Sequence, residues 1–266
     1  MLSKSSLELI EASQGWRQNR VEMLDLPEGE VVVKGQRPAR GPWRFRMLSG
    51  LARCTSNPLL KPVPAPGGPE AQATEVRRLQ ALNEAGVAVP EVLHHGDRFI
   101  VLRRIHGEAL QDRFTGSPRV ALQAFVMGLD GLLDLHHRHQ YLSQAFARNI
   151  LVQGHQSGHR LWYIDFEDDP AQVMDLPDAQ ARDLLAYLLS AVWISRAPRA
   201  GLMAAWASAA HEASPEVMVR VRRAVQGLSW LRQLPRERKP WGRDVVTVQA
   251  LAEFMHHWLN TDSAHS

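Results

Sequence analysis

Two short apolar segments, Ile150-Leu151-Val152 and Leu161-Trp162-Tyr163-Ile164, constrain this chain more than any other feature. Both are rich in β-branched and aromatic residues, so 149–152 and 161–164 read as strands joined by a turn from Gly154 to Gly158. An Asn opens the first, in Ala147-Arg148-Asn149, and an Asp closes the second, in Ile164-Asp165-Phe166-Glu167. Alone, Asn149 reads as a turn cap and Asp165 as an ordinary strand-end residue. Their worth depends on what else the chain carries.

At 266 residues, 45% hydrophobic and 22% charged, the chain is long enough to bury one or two cores. Thirty-one Lys and Arg against 28 Asp and Glu leave a formal charge of +3, too small an imbalance to argue for a nucleic-acid partner. The single cysteine, Cys54, excludes an internal disulfide and fits a reducing compartment. Met1 to Ser6 lacks the apolar core of a signal peptide, and no window approaches the roughly 18 apolar residues of a membrane span. The expected location is the cytoplasm.

Arg20–Leu26 and Glu30–Lys34 read as strands around a Pro27-Glu28-Gly29 hairpin turn. A basic-apolar stretch over 40–53 and a proline-rich run from Pro58 to Pro69 follow, the second reading as extended linker. A helix is expected over about Glu70 to Ala85, with Ala73, Val76, Leu79 and Leu82 on one side, Gly86 as its cap and Pro90 as its stop. Phe99-Ile100-Val101-Leu102 reads as a strand, and Ser117-Pro118 starts a long helix striped by Leu122, Phe125, Leu129, Leu132 and Leu133. From Asp178 the pattern is helical: Ala179–Trp193, Gly201–Ala213, Pro215 to about Leu231, and Val245–Leu259. The fold class expected is α+β in two lobes, a small β-rich lobe over 1–104 and a larger helical lobe over 105–266, hinged near Arg103 to Gly107.

Phosphoryl transfer from a nucleotide is mostly positioning and charge neutralisation. It needs a Lys on a strand for the phosphates, a Glu on a packed helix to hold that Lys, and an Asn and an Asp for Mg²⁺. Lys34 ends the apolar run Val31-Val32-Val33, and Glu75 lies on the first strong helix. Asn149 and Asp165 supply the metal side. All four occur in the required order.

With those residues the chain resembles the small bacterial protein-kinase-like branch that holds lipopolysaccharide-core sugar kinases, RIO-type kinases and aminoglycoside phosphotransferase-like proteins. The resemblance runs from about Glu30 to Trp193. It includes the 13 positions from Leu135-His136 to Asn149 and the Val-Pro-x-Val passage within 87–93. It implies ATP and Mg²⁺ as cofactors, with Leu102 and Arg103 completing the nucleotide-binding set of Lys34 and Glu75. It also implies that Asp183 braces the catalytic loop, and that the acceptor is a hydroxyl on an envelope sugar, glycolipid or protein.

Three departures matter. The family's catalytic Asp, five positions before the metal Asn, is Gln144 here, in Leu142-Ser143-Gln144. An amide orients a hydroxyl but takes no proton near neutral pH, and a missing general base costs about 10²–10⁴ in rate. Glu167 stands where the metal motif has Gly, followed by Asp168 and Asp169. These three read as a solvated acidic turn, with a further metal ligand or a substitute base as the sharper alternative. No glycine-rich loop precedes Lys34, so Gln14-Gly15-Trp16 is the one candidate for phosphate cover. The departures keep open a pseudokinase, acting as a regulatory or scaffolding module, and nucleotidyl transfer on the same fold.

Twelve histidines form no zinc spacing, and His136 reads as core. Residues 40–53 alternate Arg with Trp, Phe, Met and Leu, which reads as an insertion packed on the small lobe or as a peripheral contact with the inner membrane. A basic region from Arg220 to Arg243 reads as a solvated face, with an anion-binding surface as the alternative.

Overall fold

The computed structural model describes residues 2–37, 59, 61, 63–64, 67–142, 144–154 and 158–262. The fold is mixed α+β. Two N-terminal helices, α1 (Lys4–Ala12) and α2 (Gly15–Asn19), precede the hairpin of β1 (Val21–Leu26) and β2 (Gly29–Gly35). Helix α3 (Gly68–Glu84), β3 (Val92–His95) and β4 (Phe99–Arg103) follow. The four strands form one antiparallel sheet in the order β1-β2-β4-β3.

Strand alternation sorts the two faces of this sheet. Val31, Val33, Phe99 and Val101 are buried on one face beneath Ile10 and Trp16 of α1 and α2. The Trp16 ring lies 5.0 Å from Phe99 and its indole N–H donates to Ile10 O at 2.8 Å. Lys34 pairs with Ile100, and Val32 with Leu102, which puts Lys34 on the opposite face. Ile100 and Leu102 join Val76, Leu79 and Leu82 of α3 in the main core. The sequence reading missed α1 and α2. At 9 and 5 residues they are short, and the apolar sheet face they cover holds them in place.

Helix α3 starts at Gly68, two residues before the expected start. Its Gly86 cap has φ +74°, and the Val87 N–H donates to Leu82 O at 2.9 Å, closing the C-terminus. Ala73 is exposed; Ala71, Gln72, Thr74 and Glu75 take the buried face instead. The proline-rich run is more than linker, because Leu59 is buried in the main core and Val63 packs with Tyr141, Met174 and Ala179.

Beyond β4, a second antiparallel sheet holds β5 (Glu108–Ala109), β6 (Ile150–Gln153) and β7 (Arg160–Tyr163) in that order. Around it lie α4 (Leu110–Arg113), α5 (Pro118–His137), α6 (Leu176–Ala191), α7 (Arg199–Glu212), α8 (Pro215–Gly227) and α9 (Arg243–Asp262). Ser117 caps α5 by accepting from the Val120 N–H, with Pro118 in the first turn. Tyr187 of α6 is fully buried and donates to Phe125 O at 2.8 Å. Among the described residues no helix is long and apolar enough to cross a membrane. Residues 40–53 lie outside the described residues.

Gly128 lets Tyr187 approach α5, because a Cβ there would lie 2.3 Å from the Tyr187 hydroxyl oxygen. Gly128→Ala gains about 1 kcal/mol of helix propensity but overpacks a closed site by about 1–3 kcal/mol. The variant is expected to unfold at lower urea than the native chain. Glu28, in the β1–β2 turn, accepts from the Ser6 hydroxyl at 2.6 Å and the Ser3 N–H at 2.8 Å. The Ser6 bond first, then those of Ser3, hold its carboxyl down at about 2 against an ordinary 4.5. A depressed carboxyl contributes stability above its unfolded value and loses it as pH falls through the folded one. The stability difference between native chain and Glu28→Gln should therefore shrink between pH 4.5 and 2, read by denaturant titration.

Candidate functional site

The face of β2 opposite the valines carries the first element of the site. Lys34 Nζ lies 2.6 Å from Glu75 Oε1 of α3, and both side chains are largely buried, at 12% and 4% exposure. Two further carboxylates reach the same ammonium: Asp165 Oδ1 at 3.7 Å and Glu167 Oε1 at 3.3 Å. Lys34, Glu75 and Asp165 are thus brought together from a strand, a helix and a post-strand turn. The α3 helix is braced where it must be. Gln72 donates to Gly96 O at 2.6 Å, and Arg78 donates to Tyr141 O at 2.8 Å while its guanidinium covers the Tyr141 ring at 3.9 Å.

Asn149 ends a 3₁₀ turn, Ala147–Asn149, immediately before β6. The Ile164 N–H donates to Asn149 O at 3.0 Å, so the pairing of β6 with β7 carries Asn149 and Asp165 to one end of the ladder. The Asn149 amide nitrogen donates to Gln144 O at 3.0 Å, which leaves its Oδ1 as the atom for a cation. Asp165 is one-third exposed and has φ +74°, a left-handed conformation that costs a non-glycine residue about 1 kcal/mol or more. A carboxylate and an amide oxygen fit Mg²⁺, which takes one or two protein donors and leaves its other positions to water and phosphates. Among the described residues no group of three His, Cys, Asp or Glu could hold a metal on its own.

The acidic run is not a solvated turn. Glu167, Asp168 and Asp169 are all buried, at 4%, 5% and 7% exposure. Each is engaged by a different part of the chain. Glu167 meets Arg20, Lys34 and Arg37, with Arg37 Nη1 donating to Oε2 at 2.8 Å. Asp168 Oδ2 accepts from the Gln144 side-chain amide at 3.2 Å. Asp169 accepts from the Tyr141 hydroxyl at 2.6 Å and from Arg77 at 2.7 Å. Burying three carboxylates requires such partners, and these come from segments 24 to 147 residues away, as the Gln144–Asp168 bond and the Arg20–Glu167 contact show. No local pattern around Arg20 or Arg37 announces the role.

Asp183 of α6 is buried at 1% exposure and accepts from the Leu142 N–H at 2.6 Å, with His136 Nε2 at 3.4 Å. Burial pushes its carboxyl above the ordinary range, against the lowering by His136 and the Leu142 N–H. The bond anchors the segment that leads from α5 to Gln144. His136, at 9% exposure, is a packed residue of α5.

Other expected residues are engaged elsewhere. Leu102 is buried in the main core, and Arg103 donates to Glu91 at 2.8 Å on the sheet surface. Gln14-Gly15-Trp16 offers no phosphate cover: the Trp16 N–H donates to Glu22 at 2.9 Å, and a Cβ at Gly15 would lie 2.4 Å from the Glu22 carboxylate. In the basic C-terminal region, Arg220 meets Asp175, Asp178 and Glu216, Arg236 meets Glu253, and Arg222 lies 4.7 Å over Trp258. Much of that positive charge is thus neutralised or stacked.

Asp183→Ala leaves a buried N–H and an imidazole without their acceptor, at an expected cost of about 3 kcal/mol. Hydrogen exchange should show the Leu142 amide losing protection more than amides of β2, which separates release of the loop from general destabilisation.

No protein-family model and no curated protein matches this chain, so its functional reading rests on the geometry around Lys34, Glu75, Asn149 and Asp165.

Proposed function

We propose that the chain is a two-lobed, protein-kinase-like phosphotransferase, with lobes over 1–104 and 105–266, that uses ATP and Mg²⁺. The observation that carries this reading is the convergence of Glu75 at 2.6 Å and Asp165 at 3.7 Å on the Lys34 ammonium, with Asn149 on the strand end next to Asp165. Lys34 holds the α- and β-phosphates as a point charge, and Glu75 keeps its side chain extended toward them. Asn149 Oδ1 and Asp165 would hold the cation. Bound there, Mg²⁺ supplies charge neutralisation between the phosphates.

Asp168 is the carboxylate that reaches the position of the missing base, through its bond to the Gln144 amide. The acceptor hydroxyl attacks the γ-phosphorus, the bond to the β-phosphate oxygen breaks, ADP leaves, and the hydroxyl proton passes to Asp168. Gln144 orients the hydroxyl and keeps Asp168 in place. Glu167 does not share this work, because it is held among cations on the Lys34 side. Following the resemblance, the acceptor is an envelope sugar or glycolipid, reached from the cytoplasmic side with peripheral contact at the inner membrane.

One observation favours a pseudokinase as the second reading: Glu167 already pairs with Lys34 at 3.3 Å, so the phosphate ligand has an internal rival. Calorimetric titration of ATP, with and without Mg²⁺, separates the two readings. The phosphotransferase is expected to bind ATP in a Mg²⁺-dependent way that Lys34→Ala and Asp165→Ala abolish. Asp168→Asn is expected to keep that binding and lower transfer by about 10²–10⁴. A folded native chain that binds no nucleotide leaves the pseudokinase standing, and an adenylated product means nucleotidyl transfer.

A further inference from the structure

Glu167 is the most heavily countered carboxylate of the site, and two of its partners, Arg20 and Arg37, have no place in the four-residue arrangement above. Arg20 sits between α2 and β1 at φ +68°, a left-handed conformation unusual for an arginine, and its guanidinium reaches Glu167 Oε1. Lys34 Nζ approaches the same oxygen at 3.3 Å, while Arg37, two residues beyond the end of β2, binds Oε2 at 2.8 Å. Each carboxylate oxygen therefore meets a cation, two guanidinium groups among them. Phosphate oxygens are recognised in the same way, guanidinium groups supplying directed N–H donors and Lys a point charge.

We propose that Arg20, Lys34 and Arg37 form a polyphosphate cradle that the Glu167 carboxylate occupies as an intramolecular mimic. A phosphate ligand then binds by displacing Glu167. The proposal rests on the nucleotide reading of Lys34 and extends it to two arginines and to an internal competitor.

Space and charge both support it. The cavity left between Arg20, Lys34, Arg37, Gln72, Glu75 and Glu167 is about 10 Å³, at most the room one water needs. The Glu167 carboxylate takes up the position among these cations that a phosphate group would need. Among the contacts of the described residues, Lys34 faces Glu75, Asp165 and Glu167, and Arg20 and Arg37 face Glu167. Withdrawing Glu167 removes the one carboxylate that Arg20, Lys34 and Arg37 share, and leaves positive groups aimed at the vacated position.

The test is calorimetric titration of Mg·ATP, and separately of inorganic triphosphate, into the native chain, Glu167→Gln, Glu167→Ala, and Glu167→Ala combined with Arg20→Ala and Arg37→Ala. Glu167→Ala is expected to tighten both ligands by tenfold or more, Glu167→Gln by less, and the two added arginine substitutions to remove the gain. Thermal melting gives a second readout: triphosphate should raise the Tm of Glu167→Ala more than that of the native chain. Equal or weaker binding by a folded Glu167→Ala would make Glu167 a brace and overturn the proposal. If that variant does not fold, the same lack of gain in Glu167→Gln overturns it. Triphosphate following the expected pattern while ATP binds to no variant would keep the cradle and remove the nucleotide reading.

Discussion

The buried contact between Lys34 and Glu75 sets the terms for the rest of the structure. Two charges taken out of water recover little net stability from their attraction, yet removing one partner strands the other at a cost of about 3–5 kcal/mol. The pair therefore acts as a positional constraint. The register of β2 and the rotation of α3 must be right at once for Nζ and Oε1 to meet at 2.6 Å across 41 residues of sequence. Once Lys34 faces α3, strand alternation sends Val31 and Val33 to the other side. That second apolar face has to be covered, and α1 and α2 cover it with Ile10 and Trp16.

The same helix carries more than Glu75. Arg77 reaches Asp169, and Arg78 reaches Tyr141, whose hydroxyl also donates to Asp169. One rigid element thus touches the strand lysine, the buried acidic run and the segment leading to Gln144. Asp183 holds that segment from below through the Leu142 N–H. Loops ordinarily sit loosely at the surface. Here the two that bear Gln144 and Asp168 are pinned by hydrogen bonds to the buried carboxylates of Asp183 and Asp169.

Much of this was legible in the sequence for reasons of period and punctuation. The β1–β2 hairpin followed from two apolar runs around Pro27-Glu28-Gly29, and α5 from Ser117-Pro118 and its leucine stripe. Lys34, Glu75, Asn149 and Asp165 could be named because each sits at the end of an element or on one, where spacing along the chain constrains position in space. The acidic run was misread because local sequence describes Glu167-Asp168-Asp169 as a hydrophilic turn. Burial of those carboxylates depends on Arg20, Arg37, Arg77, Tyr141 and Gln144, none of them a sequence neighbour. Gln14-Gly15-Trp16 was misread for a related reason: its glycine makes room for the Glu22 carboxylate, and only folding brings the two together.

The sequence by itself determined most of the longer elements, the β1–β2 hairpin, α3 and α5 among them, since hydrophobic period, caps and turn residues act over a few positions. It also determined that an amide, Gln144, stands five positions before Asn149. Only the tertiary structure decided which charges are buried and which partner each one takes. Coulomb attraction and desolvation depend on distance through space. That is why Asp168 stands beside Gln144 and Glu167 lies among Arg20, Lys34 and Arg37.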